Sequence, residues 1–227
     1  AGAAMIKDPV RAKAVIEGAL RGAGGLPVSV KTRMGYNTDE LDKWLPHLLE
    51  TGIAALTLHA RTRKEMSAVP AHWEAVARAV ALRDKHNPAV LILGNGDTKD
   101  LQDAKAKTEE TRADGVMLGR AIFGNPWLFN PSAAPALRER LAVMIEHTQL
   151  FYELFVDPAS SGARKNFSIM KKHYKAYVNG FPGAAELRAE LMTAENGQEV
   201  EEMTNAFLSA SETASQQGFA APLHESG

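Results

Sequence analysis

The chain has 227 residues and a formal net charge of −1, which excludes a chain that is basic throughout but leaves room for a local basic patch. It contains no cysteine, which excludes disulfides and thiolate metal sites and suits a reducing, cytoplasmic compartment. Apolar residues make up 45% of the chain, enough for a sizeable core, but no run is long enough to cross a membrane, so we expect no membrane partner.

Four short apolar runs predict β-strands in the first half of the chain. They are Pro27–Lys31, Ala55–His59, Ala89–Gly94 and Gly115–Gly119. Each run is nearly all apolar, which is typical of parallel strands covered on both faces. Helices are predicted between them, over 8–22, 38–52, 72–86 and 98–110, from the Pro, Thr and Asp residues that begin helices and the Gly residues that end them. The alternation predicts an α/β fold with a parallel sheet, either a barrel or an open sheet.

The pattern changes at about residue 131. No strand-like run follows, and helical patterns cover 135–155, 164–178, 184–194 and 198–210. We therefore predict three regions: an α/β domain over 1–130, a helical domain over 131–210 and a disordered polar tail over 211–227.

Two glycine-rich turns follow the last two predicted strands. They are GNGD at Gly94–Asp97 and GRA at Gly119–Ala121. Turns of this kind let backbone N–H groups approach an anion, and Arg120 adds a cationic donor for a phosphate. In (β/α)8 barrels the loops after strands 7 and 8 commonly hold a phosphate. The four strands are therefore expected to be strands 5 to 8, the C-terminal half of a TIM barrel, although each turn alone could be a simple tight connection.

The first two strands end in cationic and ionisable side chains. Lys31 and Arg33 follow one strand, and His59, Arg61 and Arg63 follow the other. A lysine at the end of an apolar strand is costly unless it meets a ligand or counter-ion. Lys31 would otherwise be a surface lysine, and His59 alone would more often be a core histidine.

A basic stripe is predicted on one helix of the second domain. On a helical wheel its members cover about a third of the circumference; they are Arg164, Lys165, Lys171, Lys172 and Lys175. A different arc, predicted to be buried, carries Phe167, Met170, Tyr174 and Tyr177. The stripe suits phosphate contacts with RNA, and a merely solvated face would look the same.

Linked motifs in this order resemble the tRNA-dihydrouridine synthases. The motifs are PVSVKTRMGY, LTLHARTR, HWEAV, ILGNGD and ADGVMLGRAIFGNPWLF, followed by FPGAAELR and a KKHYKAYVNGFPG segment similar to the family's tRNA-binding segment. The resemblance implies an FMN-binding barrel followed by a helical domain. It implies flavin contacts for Lys31 and His59 and a phosphate site at Asn95, Gly96, Asp97, Gly119 and Arg120.

The resemblance also implies a reaction. NADPH would reduce the flavin, and the flavin would reduce the C5–C6 bond of a tRNA uridine that has left its stack. The expected RNA contacts are Arg33, Arg61, Arg63, Lys171, Lys172 and Lys175. The family's proton donor is a cysteine after strand 4, so we expect it upstream of Ala1 and expect the chain alone to be inactive. No metal is expected, and the oligomeric state is left open.

Two other hypotheses fit part of the sequence. A phosphate-binding aldolase or isomerase barrel without flavin would use Lys31 as a base or Schiff-base lysine. A non-catalytic RNA-binding remnant would use only the basic stripe.

Overall fold

A computed structural model describes residues 2–130, 132–159 and 164–218, with the backbone alone over 214–218. The chain forms two compact units, Ala1–Ile122 and Phe123–Gly227. The division precedes the boundary predicted after residue 130. The reason is local: Phe123 packs edge-on against His173, and Gly124 lies against the backbone of Ala176, so this segment belongs with the helices that follow it.

The first unit is a parallel sheet with helices between its strands, which confirms the predicted α/β class. The strands lie side by side in chain order. They are β1 (Ser29–Gly35), β2 (Ala55–Thr62), β3 (Leu91–Asn95) and β4 (Gly115–Met117). The helices are α1 (Pro9–Gly22), α2 (Leu41–Leu49), α3 (Trp73–His86) and α4 (Leu101–Thr111), with 3-10 turns at Gly2–Lys7 and Arg120–Ile122.

Side-chain caps fix where two of these helices begin. The Asp8 carboxylate accepts a hydrogen bond of 3.0 Å from the Arg11 amide, and Pro9 follows it in the first turn. Asp100 caps α4 in the same way, through the Asp103 amide at 2.8 Å. These caps satisfy N–H groups that the helices themselves leave without partners.

The two faces of the sheet differ. One face carries Leu56, Leu58 and Ile92, which are fully buried in the core beneath the helices. Because side chains alternate along a strand, the other face carries Lys31, Arg33 and their neighbours in register. Burial along β3 alternates accordingly, with Leu91 51% exposed and Ile92 0% exposed. Among the described residues, the strands are therefore covered by helices on one face, not on both as predicted.

The second unit is helical. It contains α5 (Leu137–Phe151), which continues into a π-helical turn (Tyr152–Val156), and then α6 (Ser168–Tyr177), α7 (Ala184–Leu191) and α8 (Gly197–Gly218). Its core confirms the predicted buried arc, which comprises Phe167, Met170, Tyr174 and Tyr177.

Two features of this unit differ from the prediction. Helix α6 begins at Ser168, so Arg164 and Lys165 precede the helix and do not share its face. Helix α8 continues through Gly218 instead of ending before a tail at Ser211. Its hydroxyl residues bond back to the helix, as when Thr213 donates to the Ser209 carbonyl at 3.0 Å, and Leu208 is buried. The rest of the predicted tail, 219–227, lies outside the described residues.

Candidate functional site

The carboxyl ends of the four strands place one residue each at the same level of the sheet. Arg33 is in register with His59, His59 with Asn95, and Asn95 with Met117. All four line a cleft of about 290 Å³ in the first unit. The predicted site residues Arg33, His59 and Asn95 are thus brought together at the edge where parallel α/β folds place their ligands. Met117, which was not predicted as a site residue, lies beside them.

His59 is held as a neutral imidazole. Burial, and then the charges of Arg33, Lys31 and Arg61, lower its pKa from 6.5 to about 4, and Asp97 opposes this only in part. The Arg61 Nη1 lies 3.4 Å from His59 Nε2. Since a guanidinium only donates, Nε2 is the acceptor and Nδ1 carries the ring proton. His59 can therefore present an N–H donor from Nδ1.

Two cations lie on the same face as His59. Lys31 is exposed and does not line the cleft; burial of its amine and then the charge of Arg33 lower its pKa. Arg33 lines the cleft, and its Nη1 donates to the carbonyls of Thr62 at 2.9 Å and Met66 at 3.3 Å. Arg33 thereby ties β1 to the loop that follows β2.

Asp97 joins two arginines beneath the glycine turn. Its Oδ2 accepts from Arg61 and from the Ala71 amide, and its Oδ1 accepts from Arg120 Nη2 at 2.7 Å. Partial burial acts to raise its pKa, but the hydrogen bonds from Arg61 and Ala71 and the charge of Arg120 outweigh it and hold the pKa of Asp97 below the ordinary value. The carboxylate is therefore charged, and both of its oxygens accept hydrogen bonds within the protein.

Arg61 does not lie on the rim as predicted. Its side chain is 3% exposed, its Nε donates to the Val69 carbonyl at 2.7 Å, and it is paired with Asp97. An arginine committed in this way is not available to RNA phosphates, so the predicted RNA contact of Arg61 is not supported. Arg63, by contrast, is exposed and lies over the Tyr36 ring at 5.4 Å.

Close packing explains two of the glycines that follow β3. A Cβ on Gly94 would lie 2.3 Å from the Trp73 ring, and a Cβ on Gly96 would lie 2.8 Å from the Ala71 Cβ, at a φ of +133°. The Trp73 indole N–H donates to the Gly96 carbonyl at 2.9 Å, so ring and turn fix each other. A Cβ on Gly119 would meet nothing within 4 Å, so protein packing does not require a glycine there.

Several residues of the cleft were not foreseen. Met66, Ser67 and Thr98 line it, and the Thr98 hydroxyl is buried without a hydrogen-bond partner among the described residues. The loop after β2 is closed by Thr62 and Glu65: the Thr62 amide donates to Glu65 Oε2 at 2.7 Å, and the Glu65 amide donates to Thr62 Oγ1 at 3.2 Å. The Thr-x-x-Glu spacing of a capping box was the sequence signal for this closure.

The lysines of α6 fall into two kinds. Lys172 and Lys175 are exposed, and no hydrogen bond or ion pair engages their amines among the described residues. Lys171 is partly buried and donates to the Met192 carbonyl at 2.7 Å. The predicted stripe is thus reduced to two available cations on the helix.

The described residues contain no group of three or more His, Asp or Glu side chains placed to hold a metal ion. No helix in this part of the chain is long and apolar enough to span a membrane.

Comparison with known proteins identifies the family of this chain. The family model of the dihydrouridine synthases matches residues 1–213. The chain belongs to the dihydrouridine synthase family. Among its curated relatives, a Staphylococcus epidermidis protein named "Probable tRNA-dihydrouridine synthase" is 39% identical over 208 residues, covering 91% of this chain and 62% of that protein. A Bacillus subtilis protein named "Probable tRNA-dihydrouridine synthase 2" is 38% identical over the same length, with the same coverage.

The chain spans about 62% of the length of these dihydrouridine synthase relatives. Membership of the family argues against the aldolase or isomerase hypothesis, since the match covers the strand ends on which that hypothesis rested.

Proposed function

We propose that this dihydrouridine synthase reduces the C5–C6 bond of a uridine in tRNA to 5,6-dihydrouridine, with FMN as cofactor and NADPH as reductant. The observation that carries the proposal is the common level of Arg33, His59, Asn95 and Met117 across four parallel strand ends, in a chain of this family. Three of these four side chains are polar, Arg33, His59 and Asn95, and they suit a ligand with a polar ring and a charged tail.

The sheet is proposed to be the wall formed by strands 5 to 8 of a (β/α)8 barrel. Helices cover the face that bears Leu56, Leu58 and Ile92, as they cover the outside of such a barrel. The face that bears Lys31, Arg33 and His59 would then be the inner face. The order of the strands along the chain, each beside its predecessor, is also that of a barrel wall.

The residues of the cleft fit FMN on two structural grounds. Gly119 leaves open space where a side chain would otherwise project, so its backbone is accessible to a phosphate. The buried hydroxyl of Thr98, which has no partner among the described residues, lines the same cleft and can donate to an anionic ligand.

The phosphate end would be held by Arg120 and by the backbone of Gly96 and Gly119. Arg120 is 67% exposed and is oriented by Asp97 at 2.7 Å, which leaves further guanidinium donors for a phosphate. Asp97 would contribute its backbone and its hold on Arg120, because its carboxylate oxygens are already engaged and would repel a phosphate. Asn95 donates its amide to the Met117 carbonyl at 2.7 Å and would offer its side-chain oxygen.

The ring end would lie near His59 and Lys31. FMN, when bound, supplies the hydride for the reduction. His59 would donate a hydrogen bond from Nδ1 without adding charge, since it is neutral at ordinary pH. Lys31 and Arg33 would provide the positive charge that stabilises an anionic ring system.

The proton donor remains a prediction. The resemblance assigns it to a cysteine, and residues 1–227 contain none. We therefore expect a cysteine outside these residues to protonate C5.

The proposed RNA contacts are Arg33, Arg63, Lys172 and Lys175. Arg33 lines the cleft, and the other three have exposed cationic side chains. Exposed lysines and arginines contact RNA phosphates without sequence preference. Lys171 is a weaker candidate because Met192 already accepts from its amine.

The test uses the protein expressed from its complete gene. It should bind FMN and, with NADPH, should add two hydrogens to uridine in tRNA isolated from cells that lack this modification, as measured by nucleoside mass spectrometry. His59→Gln should lower the rate, whereas His47→Gln, on an exposed face of α2, should not. A protein that neither binds FMN nor changes the mass of uridine would overturn the proposal.

A further inference from the structure

The second unit contains a cleft of about 240 Å³ that the proposed reaction does not use. It lies between the segment 123–127, the beginning of α5 and the C-terminal end of α6. Its walls include Phe123, Asn125, Trp127, Arg140 and Asn179. Aromatic rings, amides and a guanidinium thus surround one small space.

The segment 123–127 is fixed to α6 at two points. Gly124 has a φ of +69°, and a Cβ there would lie 2.3 Å from the Ala176 carbonyl oxygen, so the two backbones are in close contact. Phe123 packs edge-on against His173, with ring centroids 5.1 Å apart, and His173 packs against His147 at 5.2 Å. The Phe123 ring is therefore held in place although it is 44% exposed. A fixed aromatic wall loses little conformational entropy when a ligand stacks on it.

The opposite wall is also organised by hydrogen bonds. Arg140 Nη2 donates to the carbonyls of Tyr177 at 2.8 Å and Asn179 at 3.2 Å. The Asn179 amide donates to the Ala176 carbonyl at 2.7 Å and so caps α6. This use of its NH2 group leaves the Asn179 side-chain oxygen as an acceptor.

Other polar groups at the cleft have no partner within the part of the chain that the structure describes. The side-chain amide of Asn125 is exposed and makes no hydrogen bond there, and the indole N–H of the half-buried Trp127 donates to no group there. Asn125 offers both donors and an acceptor, and Trp127 offers one donor. These donor and acceptor groups match the mixed donors and acceptors on the edge of a nucleobase.

We propose that this cleft binds one unstacked base of the tRNA, other than the uridine that is reduced. Sequence-specific RNA recognition commonly places splayed bases against aromatic rings and hydrogen-bonds their edges. The exposed Lys172 and Lys175 lie on α6 just before Ala176 and Asn179, and they can hold the phosphates next to the bound base. The inference rests on the proposed function for its ligand.

The adenine of NADPH has the same chemistry as an RNA base, so the experiment measures both ligands. The dissociation constants of unmodified tRNA and of NADPH are determined for the full chain over a range of salt concentrations. The variants are Asn125→Ala and Trp127→Phe, which remove hydrogen-bonding groups but keep the backbone and an aromatic ring. The matched control is Asn205→Ala, an exposed asparagine on α8 whose side chain also makes no hydrogen bond among the described residues.

Each of the two cleft variants should weaken tRNA binding about 3- to 10-fold, the equivalent of one lost hydrogen bond, with the salt slope unchanged because no phosphate contact is lost. Lys172→Ala and Lys175→Ala should instead reduce the salt slope by about 1 each. Asn205→Ala should change neither quantity, and NADPH affinity should be unaffected throughout.

The outcomes separate this inference from the proposed function. If wild-type protein does not bind tRNA, the proposed function fails. If it binds tRNA through Lys172 and Lys175 but Asn125→Ala and Trp127→Phe are silent, only the base-binding cleft is disproved. Weakened binding of NADPH with tRNA binding intact would overturn the RNA assignment in favour of the dinucleotide.

Discussion

Arg61 and Asp97, 36 positions apart in the chain, form an ion pair at the base of the cleft in which the arginine is 3% exposed and the aspartate 34% exposed. The same carboxylate also fixes Arg120, the exposed cation proposed to hold a phosphate. The buried Arg61 and the exposed Arg120 therefore share Asp97 as their counter-ion. The position of Arg120 depends on the ion pair of Arg61 and Asp97, because both of its members are anchored to the backbone. Arg61 donates to the Val69 carbonyl, and Asp97 accepts from the Ala71 amide.

Asp97→Asn tests this relationship. The backbone of Asp97 has a φ of +51°, a conformation that Asn also tolerates, so the substitution removes the charge and spares the turn. It leaves the buried Arg61 without its counter-ion, and we expect the free energy of unfolding to fall by about 2–4 kcal/mol. FMN affinity should fall as well, because Arg120 loses its orientation.

The control for Asp97→Asn is Asp42→Asn. Asp42 pairs with Arg78 in an exposed position, with side chains 64% and 39% exposed. Exposed pairs contribute only about 0–1 kcal/mol, so this variant should unfold nearly as wild type does in urea. Equal losses in the two variants would show that the burial of Arg61 has no energetic consequence.

The neutral state of His59 gives a pH dependence with a definite sign. Its pKa is about 4 in the folded protein against 6.5 ordinarily, chiefly because of burial and then the charge of Arg33. Between these values the unfolded chain binds more protons, so the free energy of unfolding contributed by this residue decreases as the pH falls from 6.5 to about 4. His59→Gln should remove this contribution to the free energy of unfolding and leave the pH dependence of that free energy above pH 7 unchanged.

The direct measurement is the NMR titration of the His59 ring proton on Cε1. Its midpoint should lie near 4, well below that of an unperturbed histidine. A midpoint near 6.5 would contradict both the burial of the ring and the donor role proposed for Nδ1.

The sequence predicted the framework of the site because its signals are local. Apolar runs and glycine turns identified all four strands and the polar residues that end them, and the parallel sheet follows from their alternation with helices. The bounds were less accurate. Strand β1 was predicted to end at Lys31 but continues to Gly35, because its pairing with β2 extends to Thr62.

What the sequence could not predict depends on contacts between distant residues. The HARTR motif does not distinguish Arg61 from the exposed Arg63. Only the contacts of Arg61 with Asp97 and Val69 show that it is a buried structural residue. Arg164 and Lys165 matched the helical wheel of α6, but the helix begins after them. A periodic pattern identifies residues that would share a face, and the start of the helix decides whether they do.

The open space at Gly119 leads to a prediction that separates stability from ligand binding. Gly119→Ala should change the free energy of unfolding by no more than about 0.5 kcal/mol, because its Cβ would meet nothing within 4 Å. It should nevertheless weaken FMN binding about 10-fold or more, the equivalent of one lost hydrogen bond to a charged group, if the backbone there approaches the phosphate. Riboflavin, which has no phosphate, should bind equally well to both proteins.

Gly115→Ala is the control for that measurement. Its Cβ would make ordinary contacts with Leu93 at 3.8 Å, and it lies within β4. The ratio of FMN to riboflavin affinity should stay at the wild-type value in Gly115→Ala and should fall only in Gly119→Ala. An equal loss for both ligands in Gly119→Ala would contradict a phosphate contact at this turn.

The close approach of Gly124 to Ala176 predicts a large steric effect that can be separated from backbone strain. Gly124 and Gly180 have nearly the same φ, +69° and +76°, but a Cβ on Gly180 would meet nothing within 4 Å. Gly180→Ala should therefore cost only the strain of a left-handed alanine, about 1–2 kcal/mol. Gly124→Ala should cost that amount and about 1–3 kcal/mol more, because its Cβ would lie 2.3 Å from the Ala176 carbonyl oxygen. Chemical denaturation of the two variants measures the difference directly, and equal losses would mean that the segment 123–127 moves away from α6 at little cost.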